Sequence, residues 1–238
     1  MVMKYGKLSM VSNDYQPLQI MANLRSPVVA DEWLPFDGLL LYQSVRRDLG
    51  PRDVTISGAS TLAQPKGEKL RGGRLPIKIV HAKDWYYRCS WAEWGPSADG
   101  IDHWNKRFDM AYSELIDFGK RRGVVNHKAA KYKAYHMPIY YRSALWVRWY
   151  CVGDKDKIEQ LLSTMTHIGK KTAQGWGRVI LPWRVKSVDE DWSIWKDGEL
   201  MRGIPIYHKP RDYSGRRANY GIRPSYWDHR NQMELVVP

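Results

Sequence analysis

The sequence predicts an α+β domain whose elements run strand, helix, strands, insertion, strand, helix, strand, and three observations carry that expectation. Apolar residues alternate with polar ones at Leu18, Ile20, Ala22 and Leu24, and a second alternation places Leu145, Val147, Trp149 and Cys151 on one side of a strand. Ile158, Leu161, Leu162, Met165 and Ile168 follow the i, i+3, i+4, i+7 spacing of one helical face. Val179-Ile180-Leu181 then reads as strand.

Each element follows from local chemistry. Residues 18 to 25 form a half-buried first strand, and the stop at Pro35 opens a helix from Phe36 to Leu49, closed by Gly50-Pro51, with Gly38 weakening its first turn. Residues 51 to 74 are rich in Gly, Ser and Pro and predict a loop. Leu75 to Val80 and Trp85 to Trp94 predict a hairpin whose second arm sets Trp85, Tyr87, Cys89 and Trp91 on one face. Trp104, Phe108, Ala111, Tyr112 and Leu115 predict a short amphipathic helix. A helix over 155 to 168, with Asp154 as N-cap and Gly169 just past its end, precedes a strand over 176 to 185. This is the βαββαβ order of a ferredoxin-like (RRM-like) domain with a long excursion between its second and third strands. The corresponding division is residues 1–94 and 143–187 for the two parts of that domain, 95–142 for a thumb-like insertion, and 188–238 for a C-terminal extension of unassigned shape.

Composition narrows the function. Of 238 residues, 38 are Lys or Arg and 25 are Asp or Glu, and a formal charge of +13 favours an anionic partner. The stretch from Gly119 to Gly153 carries Lys120, Arg121, Arg122, Lys128, Lys131, Lys133, Arg142 and Arg148 without one acid. Twelve Trp and 15 Tyr against 3 Phe favour rings with a polar handle, suited to wet interfaces and base stacking. No apolar run approaches the roughly 20 residues of a membrane helix, and the N-terminal residues lack the apolar core of a signal peptide, so the expected location is cytoplasmic. The two cysteines, Cys89 and Cys151, are too few for a disulfide framework or a four-cysteine zinc site and read as core thiols.

The densest chemistry lies in His167-Ile-Gly-Lys-Lys-Thr-Ala-Gln-Gly-Trp-Gly-Arg178. Glycines without Cβ allow close approach of a phosphodiester backbone, and Lys170, Lys171 and Arg178 supply charge. A helix cap followed by a turn explains the same glycines. A nucleotide P-loop does not, because Thr164 stands where its first glycine is needed and a strand follows instead of a helix.

With the opening Leu18-Gln-Ile-Met-Ala-Asn-Leu-Arg-Ser-Pro-Val-Val29 strand, the Leu34-Pro-Phe-Asp-Gly-Leu-Leu-Leu-Tyr42 helix start and the loop from Gly169 to Arg178, the chain resembles the RAMP superfamily of CRISPR-associated proteins. It is most similar to the type IV subunit that holds the 5′ handle of the guide RNA. The resemblance implies a non-catalytic crRNA-binding subunit, without cofactor or metal, that caps a Cascade-like ribonucleoprotein and contacts its backbone and large subunits. Contact with target DNA is left open. It also implies RNA contact through the loop residues Gly169, Lys170, Lys171, Gly175, Trp176, Gly177 and Arg178 and through an inserted thumb, for which Lys120 to Arg142 is the candidate. Spaced cations and aromatic planes at Lys120, Arg121, Arg122, Lys128, Lys131, Tyr132, Lys133, Tyr135, Tyr140, Tyr141 and Arg142 suit splayed single-stranded RNA, and Arg25 at the end of the first strand is a further RNA-contact candidate.

Two other chemistries compete. A metal-independent endoribonuclease that processes precursor crRNA would need a general acid and base, which His127, Lys133, Tyr135 and His136 could supply, although no spacing singles out a pair. For metal-dependent catalysis, Asp99, Asp102, His103 and Asp109 are close enough in sequence to be weighed as ligands, yet acids entering a helix are ordinary first-turn residues, and Asp31, Glu32 and Asp37 at the first helix likewise need no metal.

Overall fold

The computed structural model describes residues 15–49, 75–81, 83–117, 125–126 and 132–238. Strand β1 (Gln16–Leu24) buries Leu18, Ile20, Ala22 and Leu24, as its alternation dictates. Helix α1 (Phe36–Leu49) follows, and short strands β2 (Ile79–Val80) and β3 (Tyr86–Tyr87) pair with each other. The expected hairpin is therefore real but brief. Its later residues turn away to form β4 (Glu93–Trp94), which pairs elsewhere.

A long antiparallel hairpin comes next, β5 (Ser97–Lys106) against β6 (Tyr135–Ala144), in unbroken register from Ser97 opposite Ala144 to Lys106 opposite Tyr135. This replaces the amphipathic helix expected from Trp104 to Leu115. Trp104 lies in β5 opposite Met137, and only Met110–Leu115 is helical, as a 3-10 turn that buries none of its residues. The apolar spacing had no core to face, so Leu115 stays 79% exposed.

Strand β7 (Trp146–Gly153), helix α2 (Lys155–Leu162) and strand β8 (Val179–Ser187) complete the body. Asp154 caps α2 by accepting from the Lys157 amide at 3.2 Å. The helix ends six residues earlier than its periodicity suggested, although Met165 and Ile168 remain in the core. Leu145 sits at the turn between β6 and β7 and is 70% exposed, whereas Val147, Trp149 and Cys151 are buried as expected.

The main sheet is antiparallel, in the order β4-β7-β1-β8. Ile20, Trp149 and Val185 stand side by side on one face, where Phe36 of α1 and Ile158, Leu161 and Leu162 of α2 pack over them. Cys89 and Cys151 are both buried and free in this core.

The residues after Ser187 form a second layer. Short strands β9 (Trp195–Lys196) and β10 (Glu199–Leu200) pair, and β11 (Ile204–Pro205), β12 (Arg216–Gly221) and β13 (Gln232–Val237) make a three-stranded sheet with β13 in the centre. Leu235, Val236, Ile204 and Ile222 pack there against Tyr86 and Trp91 of the body. Arg202 is buried between the layers and donates to the carbonyls of Tyr87, Cys89 and Ile222. Asp37, expected as an ordinary first-turn acid, is also fully buried and accepts from the Tyr226 hydroxyl and the Gly38 amide. Gly38 has a packing reason as well, because a Cβ there would lie 3.3 Å from the Tyr226 ring.

Candidate nucleic-acid interface

The glycine-rich loop joins α2 to β8 at the end of the sheet from which the β5–β6 hairpin also leaves. The Leu24 amide donates to Leu145 O at 2.9 Å on one side, and the Arg25 amide donates to Arg178 O at 2.8 Å on the other. Loop and hairpin are thus neighbours, although β7 and α2 lie between them in sequence.

The loop is stapled by its own hydrogen bonds. The Lys170 amide donates to Val29 O (2.6 Å), Gly177 to Pro27 O (2.7 Å), Ile168 to Gly177 O (2.8 Å) and Arg178 to Ser26 Oγ (2.9 Å), while Ser26 Oγ donates to Gly175 O (2.8 Å). Gly169, Gly175 and Gly177 all have positive φ. A Cβ on Gly177 would sit 1.9 Å from Ile168 O, and one on Gly169 2.5 Å from Val29 O, whereas Gly175 faces open space. Two of the three glycines are therefore required by chain-to-chain packing. What the loop presents outward is mainly side chains.

Those side chains meet the hairpin in an ordered series. Trp176 lies with its ring 5.2 Å from Tyr141, and Lys171 Nζ stands 5.5 Å over the Trp104 ring. Trp104 stacks in turn on Tyr135 (6.2 Å between rings, 17° between planes), and Lys106 and Lys133 both approach the Tyr135 ring, at 5.9 Å and 5.6 Å. Strand alternation explains the grouping, since Trp104, Lys106, Tyr135 and Tyr141 share one face of the two-stranded ribbon. Aromatic planes interleaved with cations result; Lys106 and Lys133 are exposed, and the four rings and Lys171 are partly buried.

The other predicted cations divide by partner. Arg142 is held by Asp99 at 2.7 Å, a hydrogen bond that keeps the Asp99 carboxyl below its ordinary pKa. Arg148 and Lys196 bracket Glu93 at 2.5 Å and 3.3 Å. Burial would raise the Glu93 pKa, but these two cations outweigh it and lower it. Lys170 pairs with Asp31 at 2.5 Å, both well exposed, an interaction worth only about 0–1 kcal/mol and so easily exchanged. Arg25, Lys171 and Arg178 have no ion pair among the described residues. Tyr132 packs edge-on against Phe108. Lys120, Arg121, Arg122, Lys128 and Lys131, together with His127, lie outside the described residues.

Trp104 and Lys106 belong to this surface and were not singled out from sequence. Residues 97–106 show no apolar alternation that would mark a strand, and the helical spacing beyond Trp104 pointed to a different element. The acids once weighed as metal ligands have local roles. Asp102 accepts from the His103 amide at 2.7 Å, Asp109 caps the 3-10 turn through the Ala111 amide at 3.0 Å, and Asp99 holds Arg142. His136 stacks on His103 with rings 4.5 Å apart and contacts Asn105 Oδ1 through Nδ1 at 2.5 Å.

The family described as CRISPR type IV associated protein Csf3 matches residues 16–238, nearly the whole chain and both layers of the fold. The chain belongs to that family. No curated protein sequence matches it. Membership in the Csf3 family gives the chain a role associated with type IV CRISPR systems, and the match includes the second layer, whose sequence offers no motif. No helix among the described residues is long and apolar enough to cross a membrane.

Proposed function

We propose that this Csf3-family chain is a non-catalytic RNA-binding subunit of a type IV effector ribonucleoprotein, which grips the 5′ handle of the crRNA and caps the backbone filament. One observation carries the reading: where loop and hairpin meet, Lys171, Trp104, Tyr135, Lys106 and Lys133 form one chain of cations and rings, and Trp176 with Tyr141 forms a second aromatic contact. Single-stranded RNA offers unstacked bases and splayed phosphates, and such a series meets both, at about 1–3 kcal/mol per stacked base.

A ferredoxin-like body is supported by the sheet order, in which β8 and β7 flank β1, β4 lies outside β7, and both helices cover one face. The hairpin would serve as the thumb, reaching the adjacent backbone subunit.

The test is a reconstituted complex in which Lys171→Ala and Arg178→Ala are combined. Guide retention is expected to fall, and the slope of log K against log salt to shrink by about 0.7 for each lost phosphate contact on single-stranded RNA. Unchanged retention and slope would overturn the proposal. Incubation with precursor repeat RNA in EDTA tests the non-catalytic part: a product ending in a 2′,3′-cyclic phosphate would show an endoribonuclease instead.

A further inference from the structure

The helix-covered side of the body holds a cleft that the loop-and-hairpin surface does not use. It encloses about 690 Å³ between α1, the segment after α2 and the second layer. Pro35, Gly38, Leu39, Tyr42 and Arg46 make one wall, a single stripe on and just before α1 with i, i+3, i+4, i+7 and i+11 spacing. Met165, His167, Ile168 and Lys170 make the second wall, and Trp33, Tyr220 and Tyr226 the third.

These walls are tied together in the free chain. Gln43 Nε2 on α1 donates to Thr164 Oγ1 at 2.6 Å, Trp183 Nε1 donates to Met165 O at 2.9 Å, and the Lys170 amide is held by Val29 O. A cleft already in shape loses little freedom when filled. Two adjacent lysines serve different surfaces here: the backbone is left-handed at Lys171 (φ 57°), and Lys170 lines the cleft while Lys171 lies over Trp104.

The lining selects the occupant. Nucleobases need open ring planes, but the rings at the third wall are engaged: Tyr220 and Tyr226 stack with centroids 5.6 Å apart, and Trp33 stacks on Trp91 at 4.8 Å with the Arg216 guanidinium 5.2 Å over its ring. Leu34, Pro35, Leu39, Met165 and Ile168 supply aliphatic surface instead, which suits the side chains of a protein. Charge adds the sign. Arg46 is exposed and has no ion pair among the described residues, and Lys170 has its exposed pair with Asp31, weak enough for another carboxylate to replace it.

We infer that this cleft docks an acidic amphipathic segment of another protein subunit, a short helix whose aliphatic side chains enter between α1 and the loop while its carboxylates meet Arg46 and Lys170. Lys171, Trp104 and Tyr135 lie outside the cleft, so the inference stands apart from the RNA-binding reading.

The experiment places p-benzoylphenylalanine at position 42 of the full chain and irradiates a type IV complex reconstituted from purified subunits, with and without crRNA. A crosslink is expected to a protein subunit, at a segment where carboxylates flank aliphatic residues spaced i, i+3 or i+4. A crosslink to crRNA, to a second copy of this chain or to a basic segment overturns the inference, as does an assembled complex without any crosslink. Arg46→Glu replaces attraction by repulsion and should weaken binding of the crosslinked subunit at least about fivefold, while RNA binding by the chain alone stays unchanged. Unchanged affinity for that subunit overturns the inference. So does an equal loss of RNA binding, which would make Arg46 an RNA contact. A parent chain that binds no RNA but still gives the expected crosslink overturns the RNA-binding reading and supports the cleft. Tyr42 is 37% exposed and Arg46 is exposed, so the thermal midpoint should not move; the label at position 46 serves if the chain labelled at 42 unfolds.

Discussion

Gly175 and Gly177 share a left-handed backbone but not a reason for it. Gly177→Ala would drive a methyl group into Ile168 O, while Gly175→Ala meets nothing. The second change should cost only the left-handed penalty, about 1–2 kcal/mol, and the first distinctly more, with loss of the loop's shape. Thermal denaturation of the two variants checks the order, and equal costs would refute this account of the loop. Asp37 supplies a second prediction at this scale. Burial raises its pKa above 3.8, the Arg202 charge and the Tyr226 hydrogen bond opposing that rise only in part. The folded state therefore holds the proton more tightly than the unfolded chain. The associated stability is complete below the ordinary aspartate range and is lost as pH rises through the folded pKa. In Asp37→Asn that decline should vanish from a plot of stability against pH. Tyr226→Phe removes the buried donor to Asp37 and should destabilise by about 1–3 kcal/mol in denaturant titration.

Loop and hairpin are separate elements that act as one surface only if they stay in contact. Trp176 against Tyr141 is the direct aromatic contact between them. A double-mutant cycle with Trp176→Ala and Tyr141→Ala should give a coupling of about 0.5–1.5 kcal/mol in stability. Additive effects would mean that the two elements are positioned independently. Elements buried on one face were legible in the sequence: β1 and β7 appear where their apolar periods place them, α1 runs between the signals at Pro35 and Gly50-Pro51, and Asp154 caps α2 as its residue type implies. The hairpin was not legible. Its strands are exposed on both faces over most of their length, so no alternation marks β5, and the chance spacing of Trp104, Phe108, Ala111, Tyr112 and Leu115 imitated a helix. The contact of Lys171 with Trp104 was hidden for the same reason.

Across the whole molecule, the second layer is joined to the body by burial as well as by the chain. Tyr86 and Trp91 lie in its apolar cluster, a Cβ on Gly203 would be 2.7 Å from the Trp91 ring, and Arg202 satisfies the carbonyls of Tyr87 and Cys89. Truncation after Ser187 would expose those rings and the apolar cluster around them, so the shortened chain should be largely insoluble or molten, measured as soluble fraction and near-ultraviolet circular dichroism. A cooperative, soluble fragment would refute this dependence. The formal charge of +13 is likewise a property of the whole, but its use is local.

By itself the sequence determined the mixed α/β class, the core-facing side of β1 and β7, the basic balance and the motifs that place the chain among type IV CRISPR-associated proteins, because periodicity and composition are properties of neighbouring residues. Only the tertiary structure decided which cations are free. Arg142 and Arg148 lie in a stretch without acids, yet strand register sets them beside Asp99 and Glu93, while Lys171 and Arg178 emerge without an ion pair among the described residues. Pairing depends on which strands adjoin. Adjacency across tens of residues follows from how the sheets close, a fact that no local pattern encodes.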